Sequence, residues 1–142
     1  MNAVFEKMKE LGVVPVVVIQ DEEDALVLAK TLKEAGLPCL EITYRTPAAE
    51  GAIKAITEAF PEILVGAGTI TNIDQAKSAI TAGAKFLVSP GFNPELCRAI
   101  KEMNVPHLPG VCTPSEIEQA AVPNVNERIS YGIIGKIGRI VV

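Results

Sequence analysis

The 142-residue sequence predicts an α/β protein built on a parallel sheet, and three observations predict it. Short β-branched runs alternate with segments whose apolar residues recur at three and four. The runs start about 20 to 26 residues apart, the length of one β/α unit. Every run from the second onward closes in turn-forming or polar residues. Strands are expected over residues 13–19, 39–43, 63–65, 86–89 and, more weakly, 105–108. Helices are expected over 21–35, 47–60, 72–82 and 93–102; the first shows the helical spacing in Ala25, Leu28, Ala29 and Leu32. Asp21, Thr46 with Pro47, and Asn72 sit where helices start, and Gly36, Gly83 and Asn104 follow helices where a left-handed residue is expected. Such alternation implies right-handed crossovers. It leaves two architectures open: a five-stranded doubly wound sheet, or part of a (β/α)8 barrel, which in full needs about 200 residues or more.

Composition narrows the function classes. The length suits one domain with a real core. No apolar run approaches the roughly 20 residues of a membrane span. Lys7 and Lys9 are followed by Glu10, Gly12 and Pro15 in place of a signal-type apolar stretch, so the protein is read as cytoplasmic. Cys39, Cys97 and Cys112 are odd in number and lack a C-x-x-C pair, which suggests reduced thiols and neither a disulfide framework nor a zinc ribbon. A net charge of −4 argues against nucleic acid as a partner, because phosphate contacts need clustered Lys and Arg.

The second strand carries the first chemical signal. Period-two geometry puts Cys39, Glu41, Thr43 and Arg45 on one face and Leu40, Ile42 and Tyr44 on the other. A carboxylate and a guanidinium are costly in a dry sheet interior unless they are paired or serve a site. A barrel lumen near its C-terminal rim would suit them; a structural ion pair or a solvated strand end is the alternative. Val65-Gly66-Ala67-Gly68-Thr69 reads first as a tight strand-to-helix turn and second as a place where backbone approaches a ligand, with Thr69 as donor. It lacks the third glycine of a dinucleotide fingerprint. Ser89-Pro90-Gly91-Phe92 and Pro109-Gly110-Val111-Cys112-Thr113-Pro114 close the fourth and fifth strands, so polar chemistry gathers at strand C-termini, where α/β folds place their sites.

Taken in order, Val14-Pro15-Val16-Val17, Leu40-Glu41-Ile42-Thr43 with Arg45-Thr46, Val65-Gly66-Ala67-Gly68-Thr69, Val88-Ser89-Pro90-Gly91 and Pro109-Gly110 resemble the successive strand ends of the KDPG/KHG aldolases, which act on 2-keto-3-deoxy-6-phosphogluconate or 4-hydroxy-2-oxoglutarate. The match covers about residues 13–119. The resemblance implies an incomplete TIM (β/α)8 barrel of about five units over residues 1–120, in a family commonly homotrimeric. It implies class I, Schiff-base chemistry that yields pyruvate plus an aldehyde without metal or other cofactor. By the same resemblance Glu41 is the proton-transfer carboxylate, Arg45 and Thr69 bind the carboxylate of pyruvate, and Pro90 shapes the pocket floor.

After Ser115-Glu116-Ile117-Glu118-Gln119-Ala120 the family pattern leads to a sixth strand bearing the imine-forming lysine roughly nine residues on. Here Ala121-Val122-Pro123-Asn124-Val125-Asn126-Glu127-Arg128-Ile129-Ser130 contains no lysine. Residues 121–142 are therefore expected to be a divergent tail that forms a terminal strand over an edge, as in a truncated or frameshifted product or an engineered fusion, and the fifth strand an exposed edge that favours association with further copies. Lys136, flanked by glycines, lacks the desolvated pocket an imine lysine needs and reads as an exposed charge. A non-catalytic remnant that at most binds 2-oxo acids is the competing expectation. His107, without a second histidine, reads as a packing or rim residue and not a metal ligand, Cys112 lacks an adjacent base, and Glu22-Glu23-Asp24 mark a solvated helix start.

Overall fold

A computed structural model of the chain describes residues 3–121. The elements run α1 (Ala3–Leu11), β1 (Val16–Val17), α2 (Glu22–Glu34), β2 (Cys39–Thr43), α3 (Ala49–Ala59), β3 (Leu64–Gly68), α4 (Ile73–Thr81), β4 (Phe86–Ser89), α5 (Pro94–Glu102), β5 (His107–Pro109) and α6 (Pro114–Ala121). All five strands are parallel and lie in sequence order, β1-β2-β3-β4-β5. A doubly wound sheet reverses its order at a switch point. Sequential order with right-handed crossovers instead stacks the crossover helices on one side, as in an arc of a barrel wall.

The two faces of the sheet bury different cores. Leu40, Ile42, Val65, Ala67 and Leu87 point outward and meet small residues of the helices, including Ala25, Ala29, Ala52, Ala76 and Ala79. Alanine at these contacts lets helix and strand backbones approach closely. Cys39 and Phe86 point inward and pack with Val14 against Met8 of α1, joined by Val4, Phe5 and Leu11. Met8 is 1 % exposed; truncating such a buried side chain to alanine costs about 2–5 kcal/mol. Helix α1 thus covers the N-terminal end of the inner face, opposite the end where the polar residues gather.

Local chemistry fixes most boundaries. Asp21 accepts from Glu23 N–H and Asn72 from Gln75 N–H, as N-caps. Gly36 and Gly83 have φ of 80° and 108°, and Asn104 has φ of 57°, which ends their helices in the left-handed region. Helix α6 opens with a reciprocal capping box: Glu116 N–H donates to Thr113 Oγ1, while the Glu116 carboxylate accepts from Cys112 and Thr113 N–H.

Four expectations need correction. Helices α1 and α6 are not among the expected elements, although Val4, Phe5, Met8 and Leu11 carry helical spacing in the first. Thr46 does not cap α3, whose N-cap is Ala48; its hydroxyl reaches back to the Ile19 carbonyl instead. Strand β1 is two residues long in place of 13–19, because Pro15 has no N–H to give and contributes only its carbonyl, to Glu41 N–H. Gly66 and Gly68 lie inside β3 and are not a strand-to-helix turn. The expected tail strand lies outside the described residues.

Candidate functional site

Strand β2 is buried along its whole length, so its alternation has to place Glu41 and Thr43 in the interior. Glu41 is 8 % exposed, and its carboxyl has no hydrogen-bond partner among the described residues. Burial pushes its pKa up to about 7, against the opposing pull of the Arg45 guanidinium. A carboxyl in that range takes up and gives back a proton near neutral pH. Thr43, also buried, donates to the Val17 carbonyl at 3.1 Å and pins β1 to β2.

Just beyond the strand, Arg45 is exposed and its Nε–H donates to Thr69 Oγ1 at 3.2 Å. Thr69 has φ of 60°, a left-handed conformation that costs a β-branched residue on the order of 1–3 kcal/mol. The neighbours hold it there: Tyr44 N–H donates to the Gly68 carbonyl at 2.8 Å and Ile70 N–H to the Val88 carbonyl at 3.0 Å. Strain imposed from both sides aims the Thr69 hydroxyl at Arg45. The conformation had no sequence signal, since it follows from pairing on both flanks. The contact uses only Nε–H, and the planar fork of a guanidinium is a shape that suits a carboxylate.

Arg45 and Thr69 therefore meet just beyond the C-terminal ends of β2 and β3, while Glu41 stands at the middle of β2, near enough to feel the Arg45 charge. Pro90 stands at the same end, after β4, and is exposed. The two glycines of β3 stand where side chains of neighbouring strands fill the space. A Cβ on Gly68 would lie 1.7 Å from Glu41 Oε1, and one on Gly66 would lie 2.1 Å from Phe86 Cζ. Both positions are empty of side chain so that an inward residue of a neighbouring strand can fill the space.

Other candidates lie elsewhere. His107 pairs with Leu87 on the outer face and hydrogen-bonds Ser89 Oγ through Nε2 at 2.8 Å, which ties β5 to β4; burial lowers its pKa to about 4. Cys39 and Cys97 are buried and Cys112 is exposed. Among the described residues no group of three or more His, Cys, Asp or Glu could hold a metal ion, and no helix is long and apolar enough to cross a membrane. Lys136 lies outside the described residues.

The family model described as KDPG and KHG aldolase matches residues 4–127, further at each end than the motif match over 13–119. A 2-dehydro-3-deoxy-phosphogluconate aldolase of Treponema pallidum is 42 % identical over 120 residues, covering 84 % of this chain and 57 % of the relative. The KHG/KDPG aldolase of Escherichia coli K12 is 44 % identical over 105 residues, covering 74 % and 49 %. Among solved structures, a KDPG aldolase from Legionella pneumophila, with pyruvate captured as a covalent carbinolamine intermediate, superposes with a TM-score of 0.73 at 42 % identity, over 76 % of this chain and 52 % of that one. The 2-keto-3-deoxy-6-phosphogluconate aldolase of Zymomonas mobilis with 3-phosphoglycerate gives a TM-score of 0.78 at 38 % identity, over 84 % and 57 %. The chain spans about half the length of the relatives it matches.

Proposed function

The chain belongs to the KDPG and KHG aldolase family, and from that premise we propose that it carries the pyruvate half-site of a class I aldolase. Arg45 and Thr69 hold the carboxylate of a 2-oxo acid, and Glu41 carries the protons that move when the bond next to the oxo group is broken or made. Pro90 borders the same pocket. The complete reaction splits 2-keto-3-deoxy-6-phosphogluconate or 4-hydroxy-2-oxoglutarate into pyruvate and an aldehyde in a cytoplasmic setting. The observation that carries this proposal is the buried Glu41 carboxyl, with a pKa near neutrality, on the strand that leads into Arg45.

Cleavage needs an amine to receive the bonding electrons as an imine. A second reading, binding without turnover, is favoured by residues 121–130, where the family pattern calls for that lysine and none stands. Association with further copies accompanies either reading: a chain 27 % identical, with a TM-score of 0.65, is part of a cage designed by fusing symmetric oligomeric domains.

The test is to incubate the 142-residue chain with pyruvate, reduce with borohydride and weigh it. A covalent adduct, on Lys136 or elsewhere, sinks binding without turnover. An unmodified mass sinks autonomous aldolase activity. Calorimetric titration with pyruvate on the same sample tests the half-site itself, and no saturable binding removes it.

A further inference from the structure

Glycine inside a strand weakens it by about 0.5–1 kcal/mol relative to alanine, so two in one five-residue strand call for a physical reason. The β2–β3 register supplies it. Glu41 pairs with Gly66 and Thr43 with Gly68, which makes Gly68 the diagonal neighbour of Glu41 on the side of the C-terminal rim. The space above Gly66 is taken by the ring of Phe86, whose Cζ, Cε2 and Cδ2 would all come within 2.5 Å of a Cβ there. The space above Gly68 is taken by Glu41: a Cβ would meet Oε1 at 1.7 Å, Cδ at 2.6 Å and Cγ at 2.9 Å. Gly12, Gly36 and Gly91 have nothing within 4 Å of an added Cβ, and the overlaps at Gly51 and Gly83, with Glu22 and Thr57, lie among the helices and not on the sheet. The Glu41 side chain therefore leans off its own level towards the rim, where Arg45 and Thr69 meet.

We infer that Gly68 is a positioning residue for Glu41, its missing side chain being the space in which the carboxyl lies against β3. The inference rests on the reading of Glu41 as the proton carrier. With Phe86 filling the next position down, an added methyl at residue 68 displaces the carboxyl from its place against β3. The raised pKa is then lost with the burial that causes it.

The test follows the carboxyl itself. In the 142-residue chain carrying 13C-labelled glutamate, the Glu41 resonance is assigned by its loss in Glu41→Gln and titrated in the wild type and in Gly68→Ala. The expected midpoint in Gly68→Ala falls by about one unit or more towards the ordinary carboxylate range. Adding Glu41→Asp, one methylene shorter, relieves the overlap and returns the carboxyl to a midpoint above that of an ordinary aspartate. A Gly68→Ala midpoint within about 0.3 unit of wild type, in a folded chain, overturns the inference. If Gly68→Ala does not fold, the double variant Glu41→Ala/Gly68→Ala decides: a folded double variant identifies Glu41 as what the methyl meets, and an unfolded one overturns the inference. Failure of the wild type to bind pyruvate counts against the half-site and leaves this titration result intact. An unchanged titration in a chain that does bind pyruvate sinks the role of Gly68 alone.

Discussion

Replacing Glu41 with glutamine keeps the shape of the side chain and removes its ionisation, which turns its burial into a measurable stability difference. The folded chain holds the Glu41 proton up to about pH 7, whereas the unfolded chain releases it near the ordinary value of 4.5. Between those values the native state binds more protons than the unfolded state, so stability falls as pH rises through the window. The cost of burying the charge is absent below about pH 4.5 and complete above about pH 7. At about 1.4 kcal/mol per unit the shift corresponds to a ceiling of about 3 kcal/mol, and water reaching the inner face brings the expected figure to about 2. Glu41→Gln should therefore match the wild type at pH 4 to within a pH-independent offset and gain on it by about 2 kcal/mol at pH 8. Urea unfolding is best followed by far-ultraviolet circular dichroism, because the chain has no tryptophan. Only the difference between the two proteins matters, since other groups titrate equally in both. A difference that stays flat from pH 4 to 8 would refute the raised pKa, and with it the proton-carrying role.

Arg45→Lys keeps the charge but loses the planar fork and the contact to Thr69; pyruvate affinity should fall about tenfold or more, and an unchanged calorimetric Kd would contradict the carboxylate-binding role. Gly66→Ala should destabilise the fold by about 1–3 kcal/mol through overlap with the Phe86 ring, and Phe86→Leu should recover part of it in a double-mutant cycle; additive losses would speak against that contact. His107, with its pKa lowered to about 4, resists protonation in the folded state, so stability should fall as pH drops from about 6.5 towards 4. His107→Gln should lessen that fall by up to about 3 kcal/mol in urea titrations, and an identical acid limb in both proteins would exclude His107 as its source.

What could be read from the sequence was whatever depends on neighbours along the chain. Asp21 and Asn72 cap helices because a short side chain reaches the next turn, and the inward set Cys39, Glu41, Thr43 follows from strand alternation alone. The strand ends carried enough pattern to reveal the family. Thr46 misled because its hydroxyl prefers a carbonyl 27 residues away to the first turn of α3. The left-handed Thr69 and the roles of Gly66 and Gly68 were illegible for one reason: each depends on the register between strands, which no local window contains. Helix α1 is legible in the sequence, since the spacing of Val4, Phe5, Met8 and Leu11 is local to the segment.

The sequential strand order also bears on how the chain is assembled in time. Its strand pairs join residues only 20 or 25 positions apart, so a growing chain meets each new strand's partner already made. Contacts of such short range favour rapid, stepwise docking over a late global collapse. Glu41, Arg45 and Thr69 come from β2 and β3 and the turns that follow them. The corner where Arg45 meets Thr69 is therefore complete only when β4 has left the ribosome, because the Val88 carbonyl holds Ile70 and with it the left-handed Thr69.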